Sequence, residues 1–191
     1  MKTNYKHIFL RTKQMLLQPA AAWSEAWKEN ATTGSVSRNY LLPIAIILSV
    51  IIFLLQLIHH TPLQAFGLGV THFLTIMGGA WATYRIVREY LCNKLIYSDS
   101  DALNLTVYSY TIFIVFHCIG ETLGNIFIGQ MFTLLSFIFL RTLYTGIGQL
   151  PQLQANHKTN ILIITSLSIV CLPIIITQIL RILFRIPAIH I

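Results

Sequence analysis

The chain has 191 residues, 55% hydrophobic and 10% charged, with 13 Lys and Arg against 6 Asp and Glu and a mean hydropathy of +0.68. A soluble domain carries about 25% charged residues, so a chain this poor in charge has too few polar side chains to cover a water-facing surface. Lipid is its natural solvent, and the +7 net charge, spread between apolar stretches, fits anionic headgroups rather than a nucleic-acid partner.

Residues 1–39 hold no span. At helical spacing Tyr5, Ile8, Phe9, Thr12, Met15 and Leu16 share one face, flanked by Lys2, Lys6, Arg11 and Lys13. That pattern predicts an interfacial amphipathic helix on the inner leaflet. Arg11 and Lys13 also interrupt the apolar stretch from Ile8 to Leu17, so it lacks the core of a signal peptide and no cleavage is expected. Pro19 restarts the chain as a second helix, whose Trp23 and Trp27 are spaced to anchor at headgroup depth. With Glu29 they also form a candidate dock for a cytoplasmic partner.

From Asn39 to Tyr84 no residue is charged when histidine is neutral, a stretch long enough for two spans of about 20 residues each. Residues 40–58 and 63–84 form these spans, separated by His59, His60, Thr61 and Pro62. Arg85, Arg88, Glu89, Lys94, Asp99 and Asp101 then predict a polar loop, with Ser98 or Ser100 capping the next helix. The third span covers residues 103–119 and ends in a tight turn over Gly120 to Gly124. The fourth covers residues 126–146, with Arg141 able to snorkel to the interface. A polar link from Gln149 to Asn160 leads to the fifth, residues 161–183, in which Pro173 predicts a kink.

The expected fold is therefore all-α: a polytopic bundle of five transmembrane helices over residues 40–191, preceded by interfacial amphipathic helices. With the N-terminus inside, every Lys and Arg except Arg181 and Arg185 falls on the inner side. That bias puts the N-terminus in the cytoplasm and the C-terminus outside.

The polar residues within or beside the spans set the chemistry. Cys92, Cys118 and Cys171 are isolated and match no zinc or disulfide pattern. His59, His60, His117 and Glu121 all fall near the outer ends of their helices, and could converge with Cys118 on a metal or proton site. Only His117 and Glu121 have helical ligand spacing, and a turn at Gly120 would break it, so packing and interface roles compete with ligation. His72 lies about 13 Å into the second span at about 1.5 Å per residue. It shares a small-residue face with Ala65, Gly69, Thr75, Gly79 and Ala82, which turns it into the bundle as interhelical glue or part of a substrate or proton path. Such a face packs within one chain or between copies, which leaves a homo-oligomer open. No GxSxG, HExxH or Walker-type glycine loop is present, so no enzyme, cofactor or metal is expected. The sequons at Asn30 and Asn104 fall on the inner side or a span edge and carry no weight.

Three stretches carry a family likeness. Leu16 to Pro19, followed by Trp23 and Glu29, resembles the opening of bacterial Yip1-domain proteins. The run from Ser100 to Tyr110 resembles that family's next recurring stretch, and Leu143 to Pro151, followed by Lys158, its third. Two departures stand beside them: Thr111 and Ile112 follow Tyr110 where members often place a proline, and the Asp-Leu-Tyr-Gly-Pro motif of eukaryotic relatives is missing. The resemblance implies a five-helix protein of the bacterial inner membrane, with a cytoplasmic N-terminus and no established enzymatic activity. The short N-terminal segment gives no ground for the vesicle-traffic role of the eukaryotic members. The expected function is membrane organisation or adaptation, with the lipid bilayer and other membrane or cytoplasmic proteins as partners. The alternative is a small transporter or channel with a polar path near His72, His117 and Glu121.

Overall fold

The computed structural model describes residues 5–28, 35–95, 97–124, 127–150 and 153–184, and among them every regular element is helical. Two short helices come first, α1 (Tyr5–Leu17) and α2 (Pro19–Lys28). Five helical runs among the described residues are then long and apolar enough to cross a membrane. The first begins as a π-helical turn over Ser37–Leu41 and continues as α3 (Leu42–Gln56). The second and third are α4 (Pro62–Leu95) and α5 (Asp99–Leu123). The fourth is α6 (Phe127–Leu135) and α7 (Phe139–Gly148), joined by a 3-10 turn at Ser136–Ile138. The fifth is α8 (Ala155–Phe184), which carries Pro173 within it.

α5 is the hub. Of its apolar segment 78% is buried in protein, against 28% for α8 and for the α6–α7 run. The outer helices accordingly expose Leu and Ile on faces that water would penalise and lipid would not, such as Ile51 and Leu54 on α3 or Ile175 and Ile182 on α8. Inside, Tyr110, Phe113, Ile76, Phe139 and Ile169 form part of a continuous core.

Local chemistry explains where α5 begins. The Ser98 hydroxyl accepts from the Asp101 backbone N–H, while the Asp101 carboxylate accepts from the Ser98 N–H, satisfying two donors at a helix start. Asp99 adds charge at the positive end of the helix and accepts from Arg88 Nε at 2.8 Å and from Cys92 Sγ at 3.3 Å. The end of α4 is thereby tied to the start of α5.

Two boundaries differ from the sequence expectation. Where charge density predicts a loop, α4 continues through Arg85, Arg88 and Glu89, because Val87 and Leu91 keep helical spacing and pack into the core at 1% and 0% exposure. α5 likewise runs past Ile119 and Gly120, and the turn comes at Gly124, whose φ of 63° needs glycine. Gly120 has another purpose: a Cβ there would lie 2.8 Å from the Thr133 nitrogen and 2.9 Å from the Gly129 carbonyl oxygen. The backbones of α5 and α6 touch at this point, and the helical register linking His117 to Glu121 survives.

Candidate functional site

The two ends of the bundle hold different constructions. At one end α1 and α2 are seated on α5 and α7. The face of α1 carrying Ile8, Arg11 and Met15 is buried, so it meets protein where amphipathic spacing alone predicts lipid. Trp23 has no exposed surface; its indole Nε1 donates to the Thr142 carbonyl at 2.8 Å and its ring lies edge-on to Tyr108, with centroids 5.7 Å apart. Trp27 stacks on Trp23 at 5.0 Å. Trp23 is thus seated in protein rather than free as a headgroup anchor, while Trp27 stays partly exposed beside it.

Further bonds close this seat. The Thr142 hydroxyl donates to the Met15 carbonyl at 3.2 Å, and Gln149 Nε2 donates to the Ala20 carbonyl at 2.8 Å. Arg11 pairs with Glu25 at 2.9 Å and lies 5.5 Å from the centre of the Tyr108 ring. The opposite face of α1 leaves Phe9, Leu10 and Leu17 exposed beside Lys6 and Lys13. Glu29, the Asn30 sequon and Arg185 lie outside the described residues.

At the other end α5, α6 and α8 enclose a cavity of about 680 Å³. His117 and Glu121 line it from α5, Gln130 and Thr133 from α6, and Thr177, Gln178 and Arg181 from α8. Arg181 donates to Glu121 Oε1 at 2.6 Å, with the two side chains only 17% and 27% exposed. The pairing has a clear cause, since Glu121 sits in the last turn of α5, where the helix dipole disfavours a carboxylate and low dielectric demands a counter-charge. Arg181 Nε remains buried without a hydrogen-bond partner. His117 is held by stacking on Phe113, ring centres 5.0 Å apart.

His72 lies deeper. It is 5% exposed and stands one helical turn from Thr75 on α4. Beside it the hydroxyls of Thr75 and Thr177 share a hydrogen bond of 3.1 Å, and Tyr110 Oη donates to the Thr75 carbonyl at 3.4 Å. The seam continues to Thr83, whose hydroxyl donates to the Ser168 carbonyl at 3.4 Å. Polar groups thus run from the cavity floor along the contact between α4 and α8.

His117 and Glu121 therefore line one cavity and His72 lies behind it, one turn from the Thr75 that bonds the cavity-lining Thr177, whereas His59 and His60 stand in the turn after α3 and do not line the cavity. Cys118, at 2% exposure, packs into the core. Among the described residues no three His, Cys, Asp or Glu side chains converge closely enough to hold a metal ion. Arg181 is the residue that sequence reasoning missed as a site member, treating it only as a topology charge. Thr177, Gln178 and Arg181 interrupt the otherwise apolar second half of α8 at neighbouring positions, which is the signal that marks a polar face.

No protein-family model matches the chain, and neither the curated proteins nor the solved structures contain a match to it.

Proposed function

We propose that this chain is a Yip1-like protein of a bacterial inner membrane, with α1 and α2 on the cytoplasmic side, that organises or adapts other membrane components without catalysing a reaction. One observation carries the reading. The three stretches that bear the family resemblance are far apart in sequence, yet they meet in one seat: Trp23 from the first, Tyr108 from the second, and Gly146 and Gln149 from the third. The excess of Lys and Arg at this end supports the cytoplasmic placement.

With Trp23 turned inward, the contact surface for a partner becomes the outer face of α1. Replacing Phe9, Leu10 and Leu17 together with serine should remove a near-stoichiometric protein that co-purifies from native membranes in mild detergent. Protease resistance of α1 and α2 should persist, because Trp23 still holds them. The same partner at the same stoichiometry would sink the reading.

A second reading, a small transporter, is favoured by the polar seam below the cavity. Under it His72→Ala should change proton or solute flux severalfold in sealed vesicles while thermal stability falls by less than about 2 kcal/mol. Flux equal to that of protein-free vesicles, in both proteins, would leave His72 as interhelical glue.

A further inference from the structure

We propose that the cavity between α5, α6 and α8 binds the headgroup of a zwitterionic phospholipid, one carrying a phosphodiester beside a primary ammonium, with the acyl chains leaving between α6 and α8.

Depth is the first argument. Glu121 stands two residues from the end of α5, about 3 Å at 1.5 Å per residue, which places its ion pair at the membrane interface, where headgroups lie. The cavity's volume of about 680 Å³ is that of a small-ligand site.

Charge is the second. Glu121 and Arg181 neutralise each other, so a ligand of net charge would leave one buried charge uncompensated. A zwitterion adds none. Its phosphate meets the Arg181 guanidinium and its ammonium the Glu121 carboxylate, both of which line the cavity. Among the described residues no Phe, Tyr or Trp lines the cavity, so they form no aromatic cage of the kind that favours a quaternary ammonium. The Gln130 and Gln178 amides and the Thr177 hydroxyl offer acceptors suited to the three N–H donors of a primary one.

Shape is the third. α6 packs on α5 and makes little direct contact with α8, so the cavity between them is open. Leu134 on α6 and Ile174 on α8 flank that opening and are 65% and 44% exposed. An apolar mouth over a charged floor matches an amphiphile; a soluble solute would have no use for it.

The test is native mass spectrometry of the full chain, delipidated in mild detergent and offered phosphatidylethanolamine, phosphatidylcholine and phosphatidylglycerol in equal amounts. Phosphatidylethanolamine should be retained about fivefold over the other two, and Arg181→Gln should reduce that retention about tenfold. Glu121→Gln frees the Arg181 charge and should reverse the order, favouring anionic phosphatidylglycerol. Leu134→Trp, at an exposed position that leaves the ion pair intact, should block retention and decides the matter if the charge variants fail to fold. Soluble glycerophosphoethanolamine should not compete at equal concentration. Equal retention of the three lipids, an unchanged order in a folded Glu121→Gln protein, full retention by Leu134→Trp, or competition by the soluble headgroup would each overturn the proposal. The last result would make the occupant a solute.

Discussion

Replacing Trp23 with alanine should detach α1 and α2 from the bundle and cost about 3–5 kcal/mol, the range for truncating a large buried aromatic. The indole is fully buried, donates to Thr142 and packs against Tyr108 and Trp27, so truncation removes a bond and leaves a cavity. Trp23→Phe keeps much of the packing but loses the donor, and should cost less, about 1 kcal/mol beyond the volume change. Gly146→Ala attacks the same seat from the other side, since its Cβ would stand 2.6 Å from one atom of the indole and 2.7 Å from another. The readout is limited proteolysis within α1 and α2 together with the thermal midpoint in detergent. Local release predicts rapid cleavage in Trp23→Ala and Gly146→Ala while α3 to α8 remain protected. Protection equal to wild type in both would show that α1 and α2 are held by something other than Trp23.

The second large effect is expected at Gly129→Ala. An added Cβ would lie 2.5 Å from the Gly124 carbonyl oxygen, 3.0 Å from that of Gly120 and 3.1 Å from the Leu123 carbonyl carbon. All three are backbone atoms and cannot rotate away, so α6 must move off α5. Overpacking costs about 1–3 kcal/mol where side chains can yield, and this site should stand at the upper end or beyond. Gly148→Ala is the control, since nothing lies within 4 Å of its added Cβ; helix propensity predicts a neutral or slightly stabilising change of up to about 1 kcal/mol. Thermal midpoints of the two variants should diverge clearly. Similar midpoints would mean that the close approach of α5 and α6 does not limit stability.

The five crossings were legible because apolar length announces a span whatever it packs against. The helix ends were less so: charge at Arg85 and Arg88 reads as loop, although Val87 and Leu91 already carry the helical spacing that keeps α4 wound. The fate of Trp23 was not legible at all. Amphipathic periodicity says that one face avoids water, and it is silent on whether protein or lipid covers that face. The cavity was half visible, in His117 and Glu121 at helical spacing. Its other charge lies 60 residues away on α8, and periodicity within one helix carries no information about such a pairing.

The seat of Trp23 also sets an order of events during synthesis. Trp23 and its acceptor Thr142 are separated by 119 residues. At about 5–20 residues per second the ribosome needs roughly 6–24 s to cover that distance. Throughout that interval α1 and α2 exist without a complete α7, and until α5 is made their apolar face must shelter in the lipid interface or on a chaperone. Contact with α5 can form first, but the Trp23–Thr142 bond and the packing of α2 on α7 wait for the fourth helical run. The seat is thus completed late, and a chain that stalls before Gln149 holds its N-terminal helices by the α5 contacts alone, without the Thr142 and Gln149 bonds.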